Sequence, residues 1–144
     1  MRFQSRSFTC GPASICNALE VYRDYRKEDD VAALCKTTPQ GTSVRGITRG
    51  IVALGYWPQP IKWRDSLKAI GLLDYLCTVG TPAILCVDSW SHWITLAGKM
   101  NGDFVLVDSA SENLVIYLTP EELATRWKYT GSRYEGFAVE KKGV

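Results

Sequence analysis

Helical apolar patterns fill the first half of this chain and strand patterns fill the second half, and this order restricts the possible folds more than any other feature. Apolar residues recur at helical spacing in four segments, which predicts helices over residues 10–22, 30–36, 43–54 and 66–78. Short polar residues at the helix starts are the expected N-caps of the first three: Thr9, then Asp29 or Asp30, then Thr42 or Ser43.

Five short apolar or alternating runs predict strands in the second half, at residues 83–88, 92–98, 104–108, 114–118 and 134–140. Asn101-Gly102 lies between two of these runs and predicts a tight hairpin. Thr119 followed by Pro120 and two acidic residues predicts the start of one late helix. A run of helices followed by a run of strands favours an α+β fold with an antiparallel sheet over a doubly wound sheet.

Length and charge limit the function classes. At 144 residues, with 46% hydrophobic and 22% charged residues, the chain fits one domain spanning residues 1–144. The longest apolar runs are far shorter than the roughly 20 residues that cross a bilayer, and no signal-peptide pattern follows Met1. We therefore expect no membrane span and a cytoplasmic location. The 17 basic and 15 acidic residues are well mixed, which argues against a nucleic-acid partner.

The cysteine and histidine pattern argues against a disulfide scaffold and a structural metal. Histidine occurs once, at His92, and the five cysteines form no C-x-x-C pair: Cys10, Cys16, Cys35, Cys77 and Cys86. We expect free thiols in a reducing compartment and neither a metal nor a cofactor.

Cys10 stands at the predicted start of the first helix, where partial positive charge and unpaired N–H groups stabilise a thiolate. Gly11 removes side-chain bulk where a substrate carbonyl would approach. A free cysteine is more commonly a small buried hydrophobic residue, and the position alone does not decide between the two interpretations.

His92 is the single candidate base for such a thiol, because imidazole titrates near neutral pH. It begins a predicted strand, and Trp90 and Trp93 flank it where they could shield an ion pair from water. The simpler alternative is a histidine that makes one ordinary hydrogen bond.

Asp108 ends the strand after the predicted hairpin and is the expected partner of the second imidazole nitrogen. In an ideal hairpin residue 92 faces residue 111, so this contact requires a looser hairpin or a bulge. Asp88, four residues before His92, is a competing acid, and Asp103 lies in the turn itself. An aspartate at a strand end also commonly caps a turn.

Gln4 precedes Cys10 by six residues, and its amide could form an oxyanion hole with the Cys10 N–H. Taken alone, a glutamine in an N-terminal segment is typically just solvated.

Gln4 and the segment Thr9-Cys10-Gly11-Pro12-Ala13-Ser14, with His92 and Asp108 sixteen residues apart, resemble the cysteine peptidases that trim double-glycine leader peptides from bacteriocins, and their stand-alone relatives. Three further segments add to a similarity that covers nearly the whole chain: Gly41-Thr42-Ser43, Leu54-Gly55-Tyr56 and Gly80-Thr81-Pro82-Ala83. Thr9 and Ser109 replace the usual acidic residue before the cysteine and the usual proline after the aspartate, and neither change removes a catalytic group.

The resemblance implies a papain-like fold, with an N-terminal helical lobe that carries Cys10 packed on an antiparallel sheet that carries His92 and Asp108. It implies that Cys10 is the nucleophile, His92 the general base and acid, Asp108 the orienting acid and Gln4 the oxyanion donor. The implied reaction is hydrolysis of an amide bond in a peptide or protein substrate through an acyl-enzyme. Two alternatives stay open: an acyl or peptidyl transferase with the same residues, and a non-catalytic peptide-binding domain, which would be expected to lack the nucleophile.

Overall fold

The four helices expected from apolar spacing all form. In the computed structural model, which describes residues 1–129 and 133–142, they are α1 (Cys10–Val21), α2 (Glu28–Cys35), α3 (Val44–Ala53) and α4 (Ser66–Val79). The late helix is α5 (Pro120–Trp127), where the Thr119 side chain and Glu122 form a reciprocal capping box. No helix in this described part of the chain is long and apolar enough to cross a membrane.

One expected helix cap is wrong and one forms without its side chain. Thr9 is the N-cap of α1, but its hydroxyl is bonded to the backbone of Arg6 rather than to the helix. Helix α2 begins before Asp29 and Asp30, with Lys27 as its N-cap, so that both carboxylates lie in the first turn, where the helix dipole favours them. Of the two residues expected to cap α3, Thr42 and Ser43, it is Ser43 that does so. Its hydroxyl accepts a hydrogen bond from the Gly46 N–H at 3.0 Å.

Six strands form one antiparallel sheet in the order β1-β6-β2-β3-β4-β5. Five follow the expected pattern: β2 (Ala83–Val87), β3 (His92–Met100), β4 (Asp103–Val107), β5 (Val115–Leu118) and β6 (Tyr134–Lys141). The sixth, β1 (Tyr56–Trp63), interrupts the expected order of helices first and strands second. It contains Pro58 and Pro60, which are tolerated because β1 is the edge strand of this sheet and pairs with β6.

Helices cover both faces of the sheet, and the side chains of β2 point alternately towards one face and the other. Ile84 and Cys86 point into a core shared with α1, α2 and α3, whereas Leu85 and Val87 point into a second core shared with α4 and α5. This arrangement confirms the predicted α+β class with an N-terminal helical lobe packed on an antiparallel sheet. It also sets the N-terminus of α1 against the beginning of β3.

Candidate active site

Cys10 is the first residue of α1 and is 8% exposed. Gly11 next to it packs closely against the segment before α3. A Cβ at Gly11 would lie 2.7 Å from the Thr42 Oγ1, so glycine is required for the segment before α3 to pack beside Cys10. The thiol therefore lies at a helix N-terminus, in the seam between the helical lobe and the sheet.

Ser14 joins α1 to β3 one turn after Cys10. Its hydroxyl donates to the Trp93 carbonyl at 3.0 Å, and its own carbonyl accepts from the Thr95 hydroxyl at 2.7 Å. Ser14 and Thr95 are buried, so these bonds form away from competing water. Because His92 directly precedes Trp93, this connection holds the imidazole at a defined distance from the thiol.

The thiol and the imidazole stabilise each other's charged forms. Burial raises the pKa of the Cys10 thiol, but hydrogen bonds from His92 and the Trp93 backbone outweigh it and leave that pKa below its usual range. Burial lowers the pKa of His92, but hydrogen bonds to Asp108 and Cys10 outweigh it and raise that pKa to about 9. The pair therefore favours a thiolate facing an imidazolium.

The pKa of each of the other four thiols is raised rather than lowered. Burial raises their pKa to about 11 for Cys16 and Cys77, and to about 12 for Cys35 and Cys86. Because the thiolate is the nucleophilic form, the site chemistry distinguishes Cys10 from every other cysteine.

A bulge in β3, one of the two departures from an ideal hairpin that the sequence allowed, brings Asp108 closer to His92. On β3 and β4, Leu96 pairs with Leu106 and Gly98 with Val105, so one extra residue on β3 shifts the register by one residue towards Asp108. The His92 Nε2 lies 2.7 Å from the Asp108 Oδ1, which leaves Nδ1 for the thiol.

The Asp108 carboxylate is buried and fully engaged. Besides His92, its Oδ1 accepts from the Ala110 N–H at 3.0 Å and its Oδ2 accepts from the Arg126 guanidinium at 2.7 Å. Burial raises the pKa of this carboxyl, but the bonds from His92 and Arg126 hold it well below its usual range. Asp108 is therefore a carboxylate at any pH at which the site would work.

Arg126 was missed by sequence reasoning. From the last turn of α5 it binds Asp108, and its Nε and Nη2 each lie 3.0 Å from one oxygen of Asp88. Asp88, the competing acid, therefore pairs with Arg126 rather than with His92. Nothing in the sequence distinguishes Arg126 from any arginine at a helix C-terminus, where a cation is favoured in any case.

The loop before His92 is strained. Asp88, Ser89 and Trp90 have φ of 55°, 57° and 66°, in the left-handed region that favours glycine. The Ser91 hydroxyl donates to the Asp88 carbonyl at 2.7 Å, and the Asp88 N–H donates to the Arg126 carbonyl at 3.1 Å. Arg126 thus holds the loop through both its backbone and its side chain.

Gln4 lies beside the residue after Asp108. Its N–H donates to the Ser109 carbonyl at 3.1 Å, its Oε1 accepts from the Ser109 hydroxyl at 2.8 Å, and its Nε2 donates to the Arg6 carbonyl at 2.8 Å. The side-chain bonds of Gln4 thus run to Ser109 and Arg6, and one amide hydrogen remains for a ligand. Ser109, which stands where the resembled peptidases usually have proline, orients this amide.

In residues 1–129 and 133–142 no group of three or more His, Cys, Asp or Glu side chains is placed to hold a metal ion. The site brings together a thiol, an imidazole and a buried carboxylate.

Comparisons with known proteins identify the family and the fold. A sequence model described as the Peptidase C39 family matches residues 1–131. The peptidase domain of Streptococcus ComA, a bifunctional ABC transporter involved in quorum sensing, aligns with a TM-score of 0.76 and 20% identity over 98% of this chain and 97% of that domain. None of the curated proteins matches the sequence.

Two further solved structures share the fold. A double glycine motif protease from an AMS/PCAT transporter, in complex with the leader peptide, aligns with a TM-score of 0.69 and 18% identity over 94% of this chain and 89% of that one. The N-terminal peptidase C39 like domain of a toxin secretion ATP-binding protein from Vibrio parahaemolyticus aligns with a TM-score of 0.64 and 16% identity. The alignment covers 96% of this chain and 100% of that one. At these identities the likeness shows the fold, and it confirms the expected papain-like architecture.

Proposed function

This chain belongs to the peptidase C39 family, and from that premise we propose that it cleaves a peptide bond through an acyl-enzyme on Cys10. In this proposal residues 1–144 act as one peptidase domain on a peptide or protein substrate. The family and the fold neighbours support a cysteine peptidase of the double-glycine type. One neighbour is complexed with its leader peptide, which supports a peptide substrate here. The free thiols support a reducing compartment such as the cytoplasm.

The proposed reaction proceeds in two halves. The Cys10 thiolate attacks the carbonyl carbon, and the developing oxyanion is held by the Cys10 N–H and the free amide hydrogen of Gln4. His92 gives its proton to the leaving amine as the C–N bond breaks. Water then gives a proton to His92 and attacks the thioester, and Cys10 leaves as the thiolate.

Asp108 keeps the imidazole in one orientation throughout these steps. Because its carboxylate accepts the Nε2 hydrogen, the ring nitrogen that exchanges the proton is the one that faces the thiol. The observation that supports the proposal most strongly is this alignment of a buried carboxylate, an imidazole and a thiol at a helix N-terminus.

A labelling competition tests the proposal. Cys77 is more exposed than Cys10, so exposure alone predicts that iodoacetamide modifies Cys77 first, whereas thiolate character predicts Cys10. We expect Cys10 to react roughly tenfold faster or more near neutral pH, as read by peptide mass spectrometry. Faster labelling of Cys77 would refute the proposed nucleophile.

Turnover gives the second arm of the test. A fluorogenic peptide with two glycines before the scissile bond is the assay substrate. We expect Cys10→Ala to abolish cleavage with little change in melting temperature, and the matched variant Cys77→Ala to retain it. Cleavage by Cys10→Ala would contradict the mechanism.

A further inference from the structure

A cavity of about 210 Å³ lies between the segment that begins α3 and the sheet, and Trp93, the residue after His92, is part of its wall. Its walls are mostly apolar, and three aromatic rings contribute to them: Trp90, Trp93 and Phe137. Small-molecule sites typically occupy roughly 300–1,000 Å³, so this volume suits a single side chain better than a whole ligand.

The cavity is adjacent to the reacting groups. Thr42 in its wall packs against Gly11, the residue after Cys10, and accepts a hydrogen bond from the Trp93 indole N–H at 3.0 Å. Trp93 directly follows His92 in the sequence. A side chain in this cavity therefore belongs to a substrate residue close to the bond that Cys10 would attack.

Glu135 is the unusual member of the cavity wall. Its Oε2 is buried and has no hydrogen-bond partner among the described residues, although Lys62 lies directly across from it on β1. A buried carboxylate oxygen without a donor is unfavourable, and the terminal torsion of glutamate is soft enough to turn an oxygen towards a ligand. Since a carboxylate only accepts, the missing partner is a donor.

The charges around Glu135 favour a neutral donor. Lys62 also lines the cavity, and Lys62, Arg64 and Arg133 surround an adjoining depression that Glu135 shares. Three cations disfavour a fourth, so a lysine or arginine side chain of the substrate fits poorly. An aromatic ring with a hydroxyl or N–H at its tip satisfies both the apolar walls and the carboxylate.

We propose that this cavity binds a tyrosine or tryptophan side chain of the peptide substrate near the scissile bond, with Glu135 accepting the hydrogen bond from its tip. This inference rests on the proposed peptidase function and names a feature of its substrate. It makes Glu135 a specificity-determining residue rather than a catalytic one.

Peptidyl vinyl sulfones test the side-chain preference. The thiolate adds to the vinyl carbon and the neighbouring carbon takes a proton, so each reaction leaves a Cys10 adduct of known mass. The panel is acetyl-Xaa-Gly-Gly-vinyl sulfone, in which Xaa is Gly, Leu, Phe, Tyr or Arg and the two glycines before the reacting carbon are kept. We expect the tyrosine probe to react roughly tenfold faster than the phenylalanine probe, and the phenylalanine probe roughly tenfold faster than the glycine probe.

Matched variants assign the preference to the cavity. Glu135→Leu should abolish the advantage of tyrosine over phenylalanine, whereas Glu140→Leu on the same strand should keep it. Val44→Trp, at a cavity-lining position that is 54% exposed, should reduce both aromatic probes to the glycine rate. Val52→Trp on the same helix is 45% exposed and does not line the cavity, so it serves as the control.

Iodoacetamide separates the two hypotheses, because it is too small to depend on the cavity. If Cys10 remains the fast thiol in every variant but the probe rates do not follow the side chain, the cavity inference is overturned and the peptidase proposal stands. A faster reaction with the arginine probe would also overturn the inference. If Cys10 is not the fast thiol, the peptidase proposal itself is refuted, and the inference with it.

Discussion

Removing the Arg126 side chain should damage the site without touching any reacting atom. Its guanidinium binds the Asp108 carboxylate, which is 6% exposed, at 2.7 Å, and the Asp88 carboxylate, which is 41% exposed, at 3.0 Å. We expect Arg126→Met to leave Asp108 with one cationic partner and to release the strained loop that leads into His92. Arg126 is in this sense a positioning residue.

The magnitude follows from the two ion pairs. A hydrogen bond between charged groups at a buried carboxylate contributes about 1.5–3 kcal/mol, and an exposed pair about 0.2–1 kcal/mol. Loss of both lowers the free energy of unfolding by about 2–4 kcal/mol. For a domain of this size that is a fall in melting temperature of roughly 6–12 °C. A displacement of His92 by about 1 Å would reduce kcat/KM by roughly 10²-fold.

The pH dependence of stability distinguishes loss of the Arg126 charge from mere loss of packing, because packing loss alone would not change it. Because Asp108 has a depressed pKa when folded, its contribution to stability is present above its unfolded pKa and is lost as the pH falls through the folded pKa. Without Arg126 the folded pKa rises towards the unfolded value, so fewer protons are taken up when the protein unfolds in acid. The part of the stability that is lost below about pH 5 should therefore be smaller than in the unaltered protein.

The assays are thermal melts from pH 3 to 8 and kcat/KM on the double-glycine peptide. Arg126→Lys keeps a charge but loses the planar fork, so an intermediate effect is expected. Arg23→Met removes an exposed arginine and controls for net charge. If Arg126→Met matches Arg23→Met in melting temperature, acid sensitivity and kcat/KM, the reasoning about this residue is wrong.

Three further predictions follow from the same geometry. The rate of alkylation of Cys10 should rise as the pH passes the lowered pKa of its thiol. The value of kcat/KM should rise in the same way and then fall near pH 9, because His92 loses the proton that the leaving amine needs, and a kcat/KM still rising at pH 10 would contradict this. Gln4→Ala should lower kcat by roughly 10²–10³-fold and Ser109→Ala by less, measured by steady-state kinetics; equal activity in all three proteins would exclude the oxyanion role. Gly11→Ala should lower stability by about 1–3 kcal/mol in denaturant unfolding, and an unchanged midpoint would refute the tight packing there.

The helices and most strands could be predicted because they depend on local patterns. The apolar spacing of α1, α3 and α4 and the turn at Asn101-Gly102 appear in the structure within a few residues of their expected bounds. Strand β1 was missed because its pattern is weak, with two prolines and only Pro58 and Ile61 buried. Its strand conformation comes from pairing with β6, some 80 residues away in the sequence.

The proposed nucleophile and base were easier to single out than the groups that contact them. Cys10 was distinguished by a helix start and His92 by being the one histidine, and both features are visible without a fold. The choice between Asp108 and Asp88 was not visible, since it depends on a bulge in β3 and on an arginine from α5.

The sequence by itself determined the α+β class, because helix starts and apolar period act over a few neighbouring residues, and its motifs indicated a family of cysteine peptidases through a resemblance. The tertiary structure alone decided which carboxylate meets the imidazole, whether burial or hydrogen bonding sets the pKa of the Cys10 thiol, and where a cavity lies. These properties depend on burial and on charges brought within a few ångströms by distant segments. Neither burial nor such a distance can be derived from a local pattern.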